Sequence, residues 1–357
     1  MNADYIGLDR ATVHECKRRL IDTFASALGA YHHPEAALAR AIAARHTGAP
    51  DATVWGTALT TTPETAAFTN GVMVRLLDVS DTYLGRAGGH PSDMIPGLLA
   101  VAESTGRDGQ ALINAVVLAY DVYCTLNDAV DIDTPGWDQT LYAVLGTALG
   151  AARLLELSAE QTTHAVSLAL TPNMALRQTR RGELSAWKGC AGANAARNAV
   201  FAAHLAQAGF TGPSDVFEGE QGLWNVLGRF EWSLPALSGA RRKISDTHIK
   251  CLPICYHGQS AAWCAIELHA QVRLQDIEEV HVETYRASVS MMASDPSRWT
   301  PGTRETADHS MPYVVAIALL DGEITSGSFE GERWKDTVVV DLMRKVKVSI
   351  CTEFSAR

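Results

Sequence analysis

The chain has 357 residues, with 40 acidic and 30 basic side chains for a formal net charge of −10, which argues against nucleic acid or an anionic membrane as its main partner. Hydrophobic residues make up 47% and charged residues 20%, the balance of a folded chain rather than a disordered one, and the length predicts two domains. No apolar run reaches transmembrane length and the first residues lack the charged-then-apolar order of a secretory signal, so a cytosolic protein is expected.

The cysteines (Cys16, Cys124, Cys190, Cys251, Cys255, Cys264 and Cys351) are odd in number and scattered, and no CxxC occurs. Neither a disulfide framework nor a zinc or iron–sulfur cradle is therefore expected. Cys251 and Cys255 form a lone CxxxC, read as two packed thiols. Walker A, a GxGxxG after a strand, GxSxG and HExxH are all missing, so no nucleotide, metal or other cofactor is expected.

In chain order, the first ~250 residues read as helix after helix. Residues 12–29 put Val13, Cys16, Leu20, Phe24 and Leu28 on one face. The stretch from Arg75 to Asp93 then gathers Asp78, Asp81, Thr82, His90 and Asp93, and Gly85, Gly88 and Gly89 allow a loop that turns His90 back toward Asp78 and Thr82. A carboxylate beside an imidazole is a workable proton-transfer pair, and a polar loop with Asp81 and Ser92 as helix caps is the bland alternative. Ser92 is expected to cap a helix to about Glu103, Asp108 one over 109–126, and Ser158 with Gln161 forms a capping-box pattern.

Arg177, Arg180, Arg181 and Lys188 come next, a cluster able to hold two or three carboxylates or else a solvated basic turn. Lys188 opens an Ala- and Gly-rich helix over 188–209 whose small residues let neighbours approach closely. Lys243, His248, Lys250, Tyr256 and His257 surround an apolar CLPIC stretch, where a lysine must find an anion, internal or bound, while His257 could equally cap a helix. After His269 the texture changes: residues 277–285 alternate as a strand, a Pro/Ser/Thr/Asp-rich loop follows, then a helix over about 307–320 and a strand at 345–350. That last strand has no partner after it, so the domain reads as incomplete. The fold class expected is mainly α with a smaller α+β domain, divided 1–265 and 266–357.

At these clusters the sequence resembles the MmgE/PrpD family, which contains 2-methylcitrate dehydratase, cis-aconitate decarboxylase and some epimerases. The motifs are NGVMVRLLDVSDTYLGRAGGHPSD, RRGELSAWKGCAGANAARNAVFAA, FEGEQG, HIKCLPICYHGQSA and ASDPSRWTPGTRETADHSMPYVVAIALLDG, together spanning about 10–357. The VRLLDVSDTYL, GELSAWKG and RETADHSMPY wordings are closer to the dehydratase branch. The resemblance implies a helical main domain, an α+β lid, a cleft, a homodimer, no metal and a small polycarboxylate substrate. By matching motifs it puts Asp78, Thr82, His90, Lys188, Lys250 and Tyr313 in the catalytic set. Arg75, Arg177, Arg181 and His257 are the residues expected to hold substrate carboxylates. Two positions depart from the family: a histidine expected in 136–140 is replaced by Asp138 and Gln139, and the decarboxylase-type histidine after the proline by Ile254 or Cys255. The family's tail beyond this chain is absent. The expected reaction is dehydration of a 2-hydroxy tricarboxylate. Decarboxylation or epimerisation of a related acid, and an inactive paralogue with a binding or dimerising role, stay open.

Overall fold

Capping residues set where the helices begin. In the computed structural model, which describes residues 7–46, 51–236 and 240–355, Asp9 accepts from the Thr12 amide and opens α1 (Arg10–Gly29), followed by α2 (Pro34–Ala43). The short pair β1 (Ala52–Thr53) and β2 (Thr60–Thr61) leads to α3 (Pro63–Arg75), capped by Thr62. The hairpin β3 (Tyr83–Leu84) and β4 (Gly88–Gly89) precedes α4 (Ile95–Ser104). Asp108 caps α5 (Gly109–Ala129), α6 (Thr140–Leu154) follows, and the Ser158–Gln161 capping box opens α7 (Ala159–Leu170). Each cap satisfies backbone amides that the helix itself leaves unbonded. Then come α8 (Trp187–Gln207) and the single turn α9 (Leu223–Leu227).

The chain forms two units: Met1–Leu76 with Ser80–Arg177 and Gly189–Ile249, and Leu77–Val79 with Gln178–Lys188 and Lys250–Arg357. In the first, α5 and α6 are central, with Tyr120, Tyr123, Tyr142, Leu126 and Leu145 fully buried. By length and composition α5 could cross a membrane, but most of it is inside this core.

Two sequence expectations fail in this unit for one reason. On α1 the expected face holds at Cys16, in the core, at Val13 and Leu20, packed against it, and at Phe24, set against the Trp55 ring. Leu28, however, is exposed, and Thr12, Arg19, Thr23, Ser26 and Ala27 are buried beside them. Arg19 turns inward because its Nε donates to Thr247 Oγ1 and its Nη2 to the Thr247 carbonyl, both at 2.7 Å. Ser92 is not the cap of α4: it sits in the 3-10 turn Pro91–Met94, and its amide donates to Asp81 Oδ1 at 2.9 Å. In both places a satisfied polar group takes a position that hydrophobicity alone would assign elsewhere.

The second unit contains α10 (Gln259–His269), β5 (Val280–Thr284), α11 (Arg286–Met292), α12 (Arg304–Ala307), α13 (Met311–Asp321), α14 (Thr337–Arg344), β6 (Val346–Ile350) and α15 (Thr352–Ser355). Every residue of α13 from Met311 to Leu319 is buried, so it is the centre of this core. Ala262 and Ala265 of α10 pack into that same core, although the sequence boundary at 265 assigns them to the first domain. The strand at the end of the chain finds its partner earlier in sequence: β6 runs parallel to β5, from Val280 opposite Val346 to Thr284 opposite Ile350. The intervening helices supply the crossover that a parallel pair requires.

Candidate active site

The expected helix over 307–320 is broken, and the break makes the site. α12 ends at Ala307 and α13 starts at Met311, because Ser310 caps α13 by accepting from the Tyr313 amide at 3.1 Å and Pro312 sits in its first turn. Asp308 and His309 fall in the gap, where their side chains are released from helical spacing. The segment Gln178–Lys188 is laced to the same region: the Leu184 amide donates to Thr306 Oγ1 at 2.9 Å, and Arg298 Nη1 donates to the Gly182 carbonyl at 3.0 Å. Lys188 is thereby brought to Asp308. Asp78 adopts φ 51, the left-handed region that a short acidic residue tolerates better than most.

Around these residues the second unit buries a dense set of charges. Lys188 Nζ lies 2.9 Å from Asp308 Oδ1, 3.1 Å from His309 Nδ1 and 3.6 Å from Asp78 Oδ2. Lys250 Nζ lies 3.1 Å from Asp78 Oδ1 and donates to the Asp78 carbonyl at 2.7 Å. His309 Nδ1 is 2.5 Å from Asp308 Oδ1. Since Lys188 can only donate, Asp308 is the acceptor shared by the ammonium and the ring N–H. All five residues are less than a tenth exposed.

The charge states follow from this geometry. Burial pushes the Asp308 carboxyl up, but Lys188 and then His309 reverse it and hold it below the usual range. Burial and Lys188 push His309 down, yet Cys255 and Asp308 outweigh them and raise it.

Asp78, Asp308 and His309 offer ligand atoms within 4.8 Å of one another, a metal-like grouping. Both carboxylates, however, are already neutralised by Lys188 and Lys250, at 2.9 and 3.1 Å. A divalent ion would have to displace two ammonium groups.

Of the residues expected from sequence, Asp78, Lys188 and Lys250 are brought together here. Tyr313 is not with them: it lies in the α13 core, its hydroxyl donates to the Ser328 carbonyl, and its ring packs against Phe329 and Trp334. Arg181 is exposed in the same unit. His257 lies in the turn before α10, and its Nδ1 is hydrogen-bonded to the Tyr285 hydroxyl at 2.7 Å. Burial, with the positive charge of His309 and Lys250 added, pushes it down to about 4, so it is neutral at pH 7.

A stability prediction follows. The folded value lies below the unfolded one, so the contribution of His257 is present above about pH 6.5 and is lost as pH falls toward 4. Melting temperatures recorded from pH 7 to pH 4 are expected to fall further in the native protein than in His257→Gln.

The first unit holds the other expected residues. His90 Nδ1 is 2.7 Å from the Asp81 carbonyl and 3.4 Å from Thr82 Oγ1. A ring whose Nδ1–H donates to a carbonyl presents Nε2 as a proton acceptor. The Asp81 carboxylate is occupied by the Tyr120 hydroxyl at 2.8 Å and the Ser92 amide. The close fit at His90 needs Gly89, where a Cβ would sit 1.9 Å from the Tyr123 hydroxyl. Arg75 is buried against Asp93 at 3.2 Å and donates to Ser80 Oγ at 2.6 Å, while Arg177 is ion-paired with Asp133.

Sequence reading missed Asp308 and His309. Their signal was Ser310 followed by Met and Pro, a cap and first-turn pattern just after an Asp–His pair.

Comparison with known proteins bears on what such a site does. Residues 1–233 match the MmgE/PrpD N-terminal domain and residues 252–357 the MmgE/PrpD C-terminal domain. The chain is 28% identical over 363 residues to 2-methylcitrate dehydratase of Escherichia coli strain K12, covering 94% of this chain and 72% of that protein. It is 24% identical over 324 residues to the probable 2-methylcitrate dehydratase of Saccharomyces cerevisiae, covering 82% and 61% respectively. It is also 26% identical over 291 residues to an alkylcitrate dehydratase of a fungal species, covering 75% and 56%.

Proposed function

Because the chain belongs to the MmgE/PrpD family, we propose that it is a hydro-lyase that removes water from a 2-hydroxy tricarboxylate such as 2-methylcitrate, giving 2-methyl-cis-aconitate. The observation that carries this reading is the pair of buried ammonium groups, Lys188 and Lys250, set with His309 against two buried carboxylates. Removing a proton alpha to a carboxylate builds negative charge on that carboxylate. Fixed cations in a poorly hydrated site stabilise this charge more than they stabilise the ground state. Lys188 and Lys250 take that role. His309 is placed to protonate the departing hydroxyl, and Asp308 to hold the ring in register. Asp78 sets the position of both lysines.

Thr82 and His90, with an accepting ring nitrogen, are the first unit's candidates for proton removal. Comparing turnover of His90→Ala with that of His309→Asn ranks the two histidines. The Tyr313 hydroxyl is already spent within the core, so we give it no chemical step.

The test is a panel of di- and tricarboxylates followed by ultraviolet absorbance of the new double bond. Turnover of 2-methylcitrate is expected, and release of carbon dioxide or an inverted centre with no absorbance change would replace dehydration by decarboxylation or epimerisation. We also propose that the reaction needs no metal, since the carboxylates are already matched by ammonium. Exhaustive chelation is expected to leave the rate unchanged, and a loss restored by iron or zinc would refute this. We place the protein in the cytosol as a homodimer. Ile21 and Leu28 of α1 and Leu38 and Ile42 of α2, all exposed, supply apolar surface for the dimer, which sedimentation would check.

A further inference from the structure

Four side chains on one face of α5 reach the same short segment of the first unit. Tyr120, Tyr123, Asn127 and Asp128 recur at helical spacing, and each holds part of the loop from Asp81 to His90. The Tyr120 hydroxyl donates to Asp81 Oδ2 at 2.8 Å, the Ala87 amide to Asn127 Oδ1 at 2.9 Å and the Tyr83 hydroxyl to Asp128 Oδ1 at 2.8 Å. The Tyr123 hydroxyl accepts from the His90 amide at 3.0 Å. Gly85, like Gly89, is required for this approach, since a Cβ there would lie 2.8 Å from Asn127 Oδ1. Thr82, in the same loop, exchanges backbone hydrogen bonds with His248 at 2.8 and 2.7 Å.

The Tyr123 contact differs from the others, because it ends on the backbone of His90 itself and is backed by a buried chain of partners. The hydroxyl donates onward to Gln139 Oε1, just before α6, and that oxygen also lies 3.4 Å from the His90 amide. Gln139 Nε2 donates to Asp93 Oδ2 at 3.4 Å, and Asp93 is paired with Arg75 at 3.2 Å, which keeps the amide oxygen turned toward the tyrosine. Tyr123, Gln139 and Asp93 are all buried, and burial pushes the Tyr123 hydroxyl well above its ordinary range, so it stays a donor. The His90 ring reaches the Asp81 carbonyl, nine residues back, through Nδ1 at 2.7 Å. Whether that bond can form depends on where the His90 backbone is held.

We propose that Tyr123 and Gln139 are positioning residues for His90: they fix its backbone so that the ring keeps its Nδ1–H on the Asp81 carbonyl and leaves Nε2 to take the proton. The inference rests on the reading of His90 as a proton acceptor in the dehydration. Both residues act through His90 and not on the substrate. A displacement of about 1 Å at a reacting group can cost about 10²-fold in rate, so their loss should appear in kcat and not in KM. Tyr123→Phe is the cleanest change. It keeps the ring, which meets Tyr142 edge-on, and removes both hydrogen bonds of the hydroxyl.

The experiment compares the native protein, Tyr123→Phe, His90→Ala and the double variant in turnover of 2-methylcitrate. It also reads the His90 ring by nitrogen-15 NMR of histidine-labelled protein at pH 8, the His90 signal being the one lost in His90→Ala. The native ring is expected to be a single Nδ1–H tautomer. Tyr123→Phe is expected to give a mixture of tautomers, with kcat lowered about tenfold to a hundredfold and KM within about twofold. In the His90→Ala background the same change is expected to cost less than about twofold. Melting curves check that each variant folds, and if Tyr123→Phe does not, Gln139→Met takes its place with the same expectations. A native ring already in mixed tautomers, a folded variant with native kcat or the native tautomer, or an equal loss in the His90→Ala background would each overturn the proposal. If His90→Ala itself turns over normally, the reading of His90 as proton acceptor fails, and the tautomer measurement alone decides the positioning.

Discussion

Lys250→Met is expected to lower the melting temperature by roughly 6–20 °C, and adding Asp78→Asn is expected to recover much of that loss without recovering turnover. Lys250 has no exposed side-chain surface and Asp78 almost none. Removing the ammonium leaves a carboxylate in the interior facing Lys188 at 3.6 Å and His309 at 3.8 Å, both of which also serve Asp308. Breaking a buried pair from one side costs about 3–5 kcal/mol, and in a chain of this size each kcal/mol moves the midpoint by about 2–4 °C. Neutralising the orphaned carboxylate removes most of that penalty, because a neutral amide against a thioether is far cheaper to bury than an isolated charge. Turnover does not return, since the anion site has lost a charge-assisted contact worth about 1.5–3 kcal/mol, roughly tenfold to a hundredfold in rate. The double-variant cycle separates the lysine that stabilises the fold from the lysine that holds the transition state. A Lys250→Met protein that melts like the native one would show that Asp78 does not depend on it.

Lys188 and Lys250 were legible in the sequence because each is a lysine in an apolar setting that must be matched by an opposite charge, and Asp78 because it stands in a dense polar cluster with Thr82 and His90. Asp308 and His309 were hidden because the run from Ala307 to Leu320 has the composition of one helix. The interruption depends on a single serine hydroxyl capturing the Tyr313 amide, a local signal that a hydrophobic pattern cannot carry. Tyr313 misled in the opposite direction. Its place in the catalytic set came from the family motif, but its hydroxyl is satisfied by the carbonyl of Ser328, fifteen residues on, and only the folded chain reveals that bond. Cys255 was read as a packing thiol. Its burial agrees with that reading. The strands at 280–284 and 346–350 were recognisable by alternation. Their mutual pairing was not, because a parallel partner can lie anywhere earlier in the sequence.

His309→Asn is expected to cut turnover by about 10²–10⁴-fold, the scale of a positioned acid or base, while shifting the melting temperature far less than Lys250→Met does. Asparagine keeps a donor for Asp308, and Lys188 still neutralises that carboxylate at 2.9 Å, so no buried charge is orphaned. The pH dependence gives the sharper signature. The folded His309 value is raised above the ordinary one, so the proton it donates, and the stability it confers, are fully present below about pH 6.5 and are lost as pH rises through the raised value. Asp308 is held below its ordinary value, so its contribution is present above about pH 4 and is lost as pH falls further. Turnover should therefore decline on the alkaline side as His309 loses its proton. In His309→Asn the residual rate should lose that alkaline decline. A variant that keeps both the native rate and the native alkaline limb would remove His309 from the chemistry and return the proton-transfer role to His90.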